Sequence, residues 1–205
     1  MFILKNKKLQ LKQILFSFSF YMLSIPIGLE NPNLRCATNA SYQVVFSSEI
    51  GHDYLLIYHE NNDWRNGLIN SIHNISHHDA INALLKLLID LNIKCDMIYD
   101  LDELTLRNIS KYKLFCIRPV LPKQMPNDFE KYGYFFQSCG AVYYHRSGNS
   151  GHYIAVVKRN DKTYVCNDRR ITLIDMMNYP AHLEESGTEY DLMFVLYERL
   201  NDNQI

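Results

Sequence analysis

The chain has 205 residues, 47% hydrophobic and 21% charged, values of a globular domain with a proper core and far from those of disordered chains. A net charge of −1 leaves no basic footprint, so nucleic acid has no support as a partner. The five cysteines (Cys36, Cys95, Cys116, Cys139 and Cys166) are odd in number and form no C-x-x-C pair, which argues against a closed disulfide framework and a structural zinc site of the usual spacing.

At the N-terminus, Lys5, Lys7, Lys8 and Lys12 precede an uncharged run over 13–29 rich in Phe, Leu and Ile. That is the pattern of a signal peptide or short membrane anchor, although serines and Pro26 interrupt it and no A-x-A-like cleavage site follows. A helix packed on the domain is the leading alternative. Residues 1–25 are therefore read as an extension and residues 26–200 as the domain.

Gly28–Gln43 (GLENPNLRCATNASYQ) passes from turn-rich to helix-compatible sequence. Gly28, the Asn31-Pro32 step and Asn33 resist helix, whereas Thr38 to Phe46 have helical spacing, with Thr38 or Asn39 as N-cap. Residues 49–74 read as an irregular connection with some helix. Ser76–Asn92 is the clearest helix: Ser76 caps it, Asp79 suits its positive first turn, and Ala80, Leu84, Leu87, Leu88 and Leu91 form an apolar stripe. His73, His77, His78 and Asp79 invite a metal reading, but helical neighbours point about 100° apart, so His77 and His78 chelate poorly and no metal is assigned.

Asp100–Ser110 is charged and reads as surface, and Lys113–Leu121 as a strand ended by Pro122. Tyr134–His145 alternates as a half-buried strand should, and Ser147–Gly151 is a loop. Tyr153–Lys158 and Thr163–Cys166 form a hairpin turning near Arg159–Asp161, and Tyr190–Arg199 is a closing strand. Cys116 and Cys166, in apolar runs, read as small core residues.

Taken alone, Cys36 would also be one more small buried residue. Its place where a loop enters a helix favours the thiolate, and Gly151-His152-Tyr153 far downstream supplies an imidazole followed by an apolar strand. A Cys early, a His late and a polar orienting group beyond is the order of papain-like thiol hydrolases. If the hairpin turn has two residues, His152 and Asn167 project from one face near a diagonal, and Asp168 from the other; a three-residue turn reverses this. Register alone thus leaves either Asn167 or Asp168 as the partner of His152. Asn31, five residues before the thiol, is either an amide donor to an oxyanion or the start of an Asx-turn. Gly151 either leaves room in the approach or is a turn residue.

Gly28-Leu29, Asn31, Cys36, Asn39 and Gln43 match, offset by offset, the Cys box of ubiquitin-specific proteases, G-L-x-N-x-G-N-T-C-Y-x-N-S-x-L-Q. His78-Asp79-Ala80 with Leu84, Leu87, Leu88 and Leu91 resembles that family's Q-Q-D-A-x-E-F-L-x-x-L-L-D-x-L box, the segment at 113–121 its L-P-x-x-L strand, and Tyr190–Arg199 its terminal strand. The resemblance implies an α+β, papain-like cysteine peptidase fold, with an N-terminal helical thumb and a C-terminal antiparallel palm. The zinc-binding fingers would be reduced or absent.

It further implies hydrolysis after the C-terminal glycine of ubiquitin by Cys36, His152 and Asn167, with Asp168 in reserve for Asn167, Asn31 at the oxyanion and no cofactor. Asp79, Gly151 and Tyr153 would line the channel for the ubiquitin tail. A cytoplasmic or nuclear location follows, with secretion or anchoring through residues 1–25 as the alternative. The family's Gly-Asn-Thr before the Cys is Asn33-Leu34-Arg35 here, its Tyr after it Ala37 and its following Ser Ala40, and Asn82 replaces the Glu of the helical box. These departures keep two rivals in view: a catalytically impaired ubiquitin binder and a protease for another ubiquitin-like modifier.

Overall fold

A computed structural model describes residues 26, 28–29, 31, 35–53, 79–118, 127–147, 150–175 and 190–200. The extension 1–25, the turn residues Pro32 and Asn33, Ser76, His73, His77, His78 and Pro122 lie outside them. The architecture is mixed α and β with one large sheet. Helices α1 (Cys36–Val45) and α2 (Ala80–Asp90) come first, and strands β1 (Cys95–Ile98) and β2 (Leu114–Ile117) flank the short helix α3 (Leu106–Lys111). Then follow β3 (Phe129–Lys131), β4 (Tyr134–Ser147), β5 (Ser150–Arg159), β6 (Lys162–Asn167), β7 (Arg170–Ile174) and β8 (Tyr190–Arg199).

The strands run in the order β1-β2-β8-β4-β5-β6-β7, with β3 on β4. Every pair is antiparallel except β1 with β2, which is parallel. A parallel pair needs a crossover, and the segment carrying α3 supplies it. Asp100–Ser110 lies largely at the surface, as its charge predicts, with two exceptions. Leu104 and Ile109 are fully buried against the sheet, while the charged residues around them face out.

Alternation divides the core in two. Leu114 and Cys116 of β2, with Phe194 and Leu196 of β8, face α1 and α2; Phe115 and Ile117, with Val195 and Tyr197, face the opposite cluster that holds Leu104 and Ile109. The stripe on α2 is buried throughout, and its N-cap is Asp79, whose carboxylate accepts from the Ile81 and Asn82 amides. Helix α1 is not amphipathic but buried along its whole length. Thr38 and Asn39 lie inside it rather than at its cap; the N-cap is Arg35, whose amide donates to Asn31 Oδ1. The Ser41 hydroxyl reaches the Ala37 and Ala80 carbonyls, tying α1 to α2.

Three hairpin details position the site. β4 and β5 pair as far as Ser147 with Ser150, so the predicted loop is mostly strand. Arg159 pairs with Lys162, leaving the two-residue turn Asn160-Asp161 with both φ angles positive (48° and 58°), the geometry that suits a tight hairpin. Asn167 pairs with Arg170 across Asp168-Arg169, again with a positive φ, 48°, at Asp168.

Phe194 lies at 0% exposure on the central strand β8. Phe194→Ala is expected to cost about 3–5 kcal/mol, read as a lower denaturant midpoint with unchanged slope.

Candidate active site

Cys36 is the first residue of α1, where helical amides lack intrahelical acceptors and the dipole is positive. The helix is held there by sequence-local means: Asn31 reaches forward to the Arg35 amide, and the Asn39 amide closes the first turn on the Arg35 carbonyl at 2.9 Å. Gly28 and Leu29 run against the β6–β7 turn, and Leu29 N–H donates to the Asp168 carbonyl at 2.9 Å. A Cβ on Gly28 would overlap the Arg169 carbonyl, so this close approach requires glycine.

The hairpin register runs through a two-residue turn. Ala155 faces Cys166, which puts His152 and Asn167 on one diagonal, and His152 Nε2 lies 2.7 Å from Asn167 Oδ1. An amide oxygen only accepts, so Nε2 carries a proton and donates. The other ring nitrogen, Nδ1, is left for Cys36, with which the His152 side chain is hydrogen-bonded. The Tyr153 amide is a second donor to the thiol.

Asp168 does not turn away as strand alternation predicts, because it belongs to the turn and not the strand. Its carboxylate accepts from Asn31 Nδ2 and Asn39 Nδ2, each at 2.8 Å, and lies 3.9 Å from His152 Nε2. Asn39, read from spacing as a cap and matched to the Cys box, thus joins the site. Spacing alone holds no signal for this bridge. Asn31 has both ends of its amide engaged, on the Arg35 amide and on Asp168.

Electrostatics separate Cys36 from the other cysteines. Burial opposes its thiolate most strongly, but the His152 hydrogen bond, the Tyr153 amide and the imidazolium charge together prevail over burial and Asp168, and the thiol titrates below its ordinary value. The Cys36 hydrogen bond is also the main reason His152 is raised to about 9, against the opposing effect of burial; Asn167 and the nearby negative charges add to the rise. Burial pushes Cys95 and Cys166 to about 12 and Cys116 and Cys139 well up.

Of the remaining predicted residues, Tyr153 projects toward the start of α2, where Ala80 N–H supports its phenol. Burial and the charges of Asp79, Tyr144 and Cys36 lift that phenol to about 12. Asp79 itself is committed to capping α2. Gly151 does not leave open room on the helix-facing side: a Cβ there would overlap the ring and hydroxyl of Tyr144, a residue sequence reasoning passed over. Among the described residues no cluster of His, Cys, Asp and Glu is arranged to hold a metal, and no helix is long and apolar enough to cross a membrane.

A thiol at a helix start, an imidazole on the facing sheet and an amide behind it are the layout of thiol hydrolases. No family model and no curated protein matches the chain. Solved structures do share its fold. A chain of the SAGA Ubp8/Sgf11/Sus1/Sgf73 DUB module bound to ubiquitin aldehyde matches with a TM-score of 0.54 and 11% identity, over 87% of this chain and 70% of that one. The module bound to monoubiquitin matches with the same TM-score and coverages at 10% identity. An essential yeast splicing factor matches with a TM-score of 0.53 and 10% identity, over 85% and 69%. The fold is thus that of ubiquitin-specific-protease-like structures, and at these identities the likeness is one of fold.

Cys36 is expected to be the cysteine alkylated by iodoacetamide at neutral pH, its rate rising with an inflection below that of an ordinary thiol. In Cys36→Ala the imidazole loses its main support, so the His152 resonance, followed by NMR, should titrate well below 9 and toward 6.5.

Proposed function

We propose that the chain is a thiol hydrolase that cleaves the peptide or isopeptide bond after the C-terminal glycine of ubiquitin, residues 26–200 forming the catalytic domain. The observation that carries this reading is the hydrogen-bonded series Cys36, His152 and Asn167 at the start of a buried helix. The Cys36 thiolate attacks the scissile carbonyl; a sulfur–carbon bond forms and the oxygen takes the negative charge. As the carbon–nitrogen bond breaks, the imidazolium of His152 gives its proton to the departing amine. Water, deprotonated by His152, then hydrolyses the thioester, releasing the carboxylate and restoring the thiol. Asn167 holds the ring so that Nδ1 faces sulfur, a task a neutral amide performs for a thiolate–imidazolium pair.

Asn31, with the amides of the first turn of α1, is the oxyanion donor, and Asp168 holds it in place. Such a donor is worth roughly 3–4 kcal/mol of transition-state stabilisation in other hydrolases. No cofactor enters the reaction. Asp79, Gly151 and Tyr153 flank the channel for the substrate tail. A thiol that must stay reduced suits the cytoplasm or nucleus.

A second reading, a ubiquitin binder without turnover, draws on the altered residues around Cys36. Tight ubiquitin binding unaffected by Cys36→Ala, with no turnover, would select it. A panel of ubiquitin-like probes separates ubiquitin from its relatives.

Ubiquitin carrying a C-terminal thiol-reactive warhead is expected to form an adduct with the folded chain, lost in Cys36→Ala; no adduct rejects the mechanism. The rate should rise as Cys36 ionises and fall as His152 loses its proton near pH 9. Asp168→Ala, which frees Asn31 and Asn39, should lower kcat about 10²-fold or more while leaving the fold intact by circular dichroism.

A further inference from the structure

Two groups hold the His152 imidazole: Asn167, reaching across from β6, and the Cys36 thiol at the start of α1. On its other side lies β4. His145 is the direct partner of His152 across the β4–β5 pair, and Tyr190 is the direct partner of His145 across β4–β8. Tyr190, His145 and His152 therefore form one row on one face of the sheet, with neighbouring Cβ atoms about 4.5–5.5 Å apart. The His145 and Tyr190 rings are tilted against each other with centroids 5.3 Å apart, and both residues are half-buried. Burial raises the Tyr190 phenol, which stays uncharged at neutral pH.

A strand residue commonly has two χ1 wells open to it. In one, the His152 ring lies toward β6, where Asn167 and the thiol are; a ring swung toward β4 would lose both. We propose that His145, backed by Tyr190, is a positioning residue that occupies the space on the β4 side and so keeps the His152 imidazole facing Cys36 and Asn167. The bulk of the His145 ring does this, not its nitrogens. The hydrogen bond to Asn167 fixes the roll of the His152 ring, which decides the nitrogen that meets sulfur; the row behind fixes its swing. An imidazole held from both sides spends more of its time in reach of the thiol, and the thiolate it supports is favoured accordingly. The inference rests on the thiol–imidazole pair of the hydrolase reading, but on neither ubiquitin nor the bond cleaved.

The test follows alkylation of Cys36 by iodoacetamide against pH in the full chain. His145→Ala is expected to raise the inflection toward that of an ordinary thiol and to slow the reaction at neutral pH about tenfold. His145→Phe, which keeps a ring and loses both nitrogens, should restore the wild-type inflection. Tyr190→Ala should shift it in the same direction as His145→Ala, by less. A side chain that only stabilised the fold would lower the denaturant midpoint and leave the inflection where it is. If His145→Ala is unfolded by circular dichroism, His145→Val, a good strand former without a ring, takes its place. An unchanged inflection in a folded variant without the ring, or His145→Phe as impaired as His145→Ala, would overturn the assignment. The ubiquitin reading fails separately, as no adduct between the wild type and the ubiquitin warhead while the inflections shift as described.

Discussion

The carboxylate of Asp168 is the interaction on which the site depends. It sits in a tight turn at the end of the β5–β6–β7 meander and accepts one amide from the loop before the thiol, Asn31, and one from inside helix α1, Asn39. Three segments distant in sequence are thereby pinned at one point. The backbone repeats the tie, because the carbonyl of the same residue takes the Leu29 amide. Charge-assisted hydrogen bonds that are largely screened from water hold geometry well, and a reacting group needs its neighbours placed within a fraction of an ångström.

That anchor also explains why α1 is buried on every side although it carries Thr38, Asn39, Ser41 and Gln43. Polar groups in a core must find partners. Asn39 finds Asp168, and Ser41 finds the carbonyls of Ala37 and Ala80. The helix is thus fixed at its first turn to the sheet and midway to α2. Its N-terminus keeps the one cysteine whose thiolate is favoured, and desolvation keeps the other four protonated. One chain can in this way hold five thiols and direct reactivity to one.

Fold-level likeness and site geometry carry different information. The same architecture appears in a ubiquitin-bound DUB module and in a splicing factor, so the scaffold alone does not specify chemistry. The arrangement of the thiol, imidazole and amide is the part on which the proposed chemistry rests.

From the sequence alone came the features governed by short-range physics. The apolar stripe of α2, the alternation of β4 and the two-stranded hairpin all follow from periodicity over a few neighbours, whereas the pairing of His152 with Asn167 hung on a two-residue turn that the fold supplied. What the sequence could not settle depended on distant partners. Burial of Leu104 and Ile109, the parallel β1–β2 pair, the return of Asp168 through a left-handed turn and the Tyr144 ring over Gly151 were decided by tertiary packing. The physical reason is that a side chain's direction within a strand is local, whereas its fate in a turn or across a sheet is set by whatever the fold brings opposite it.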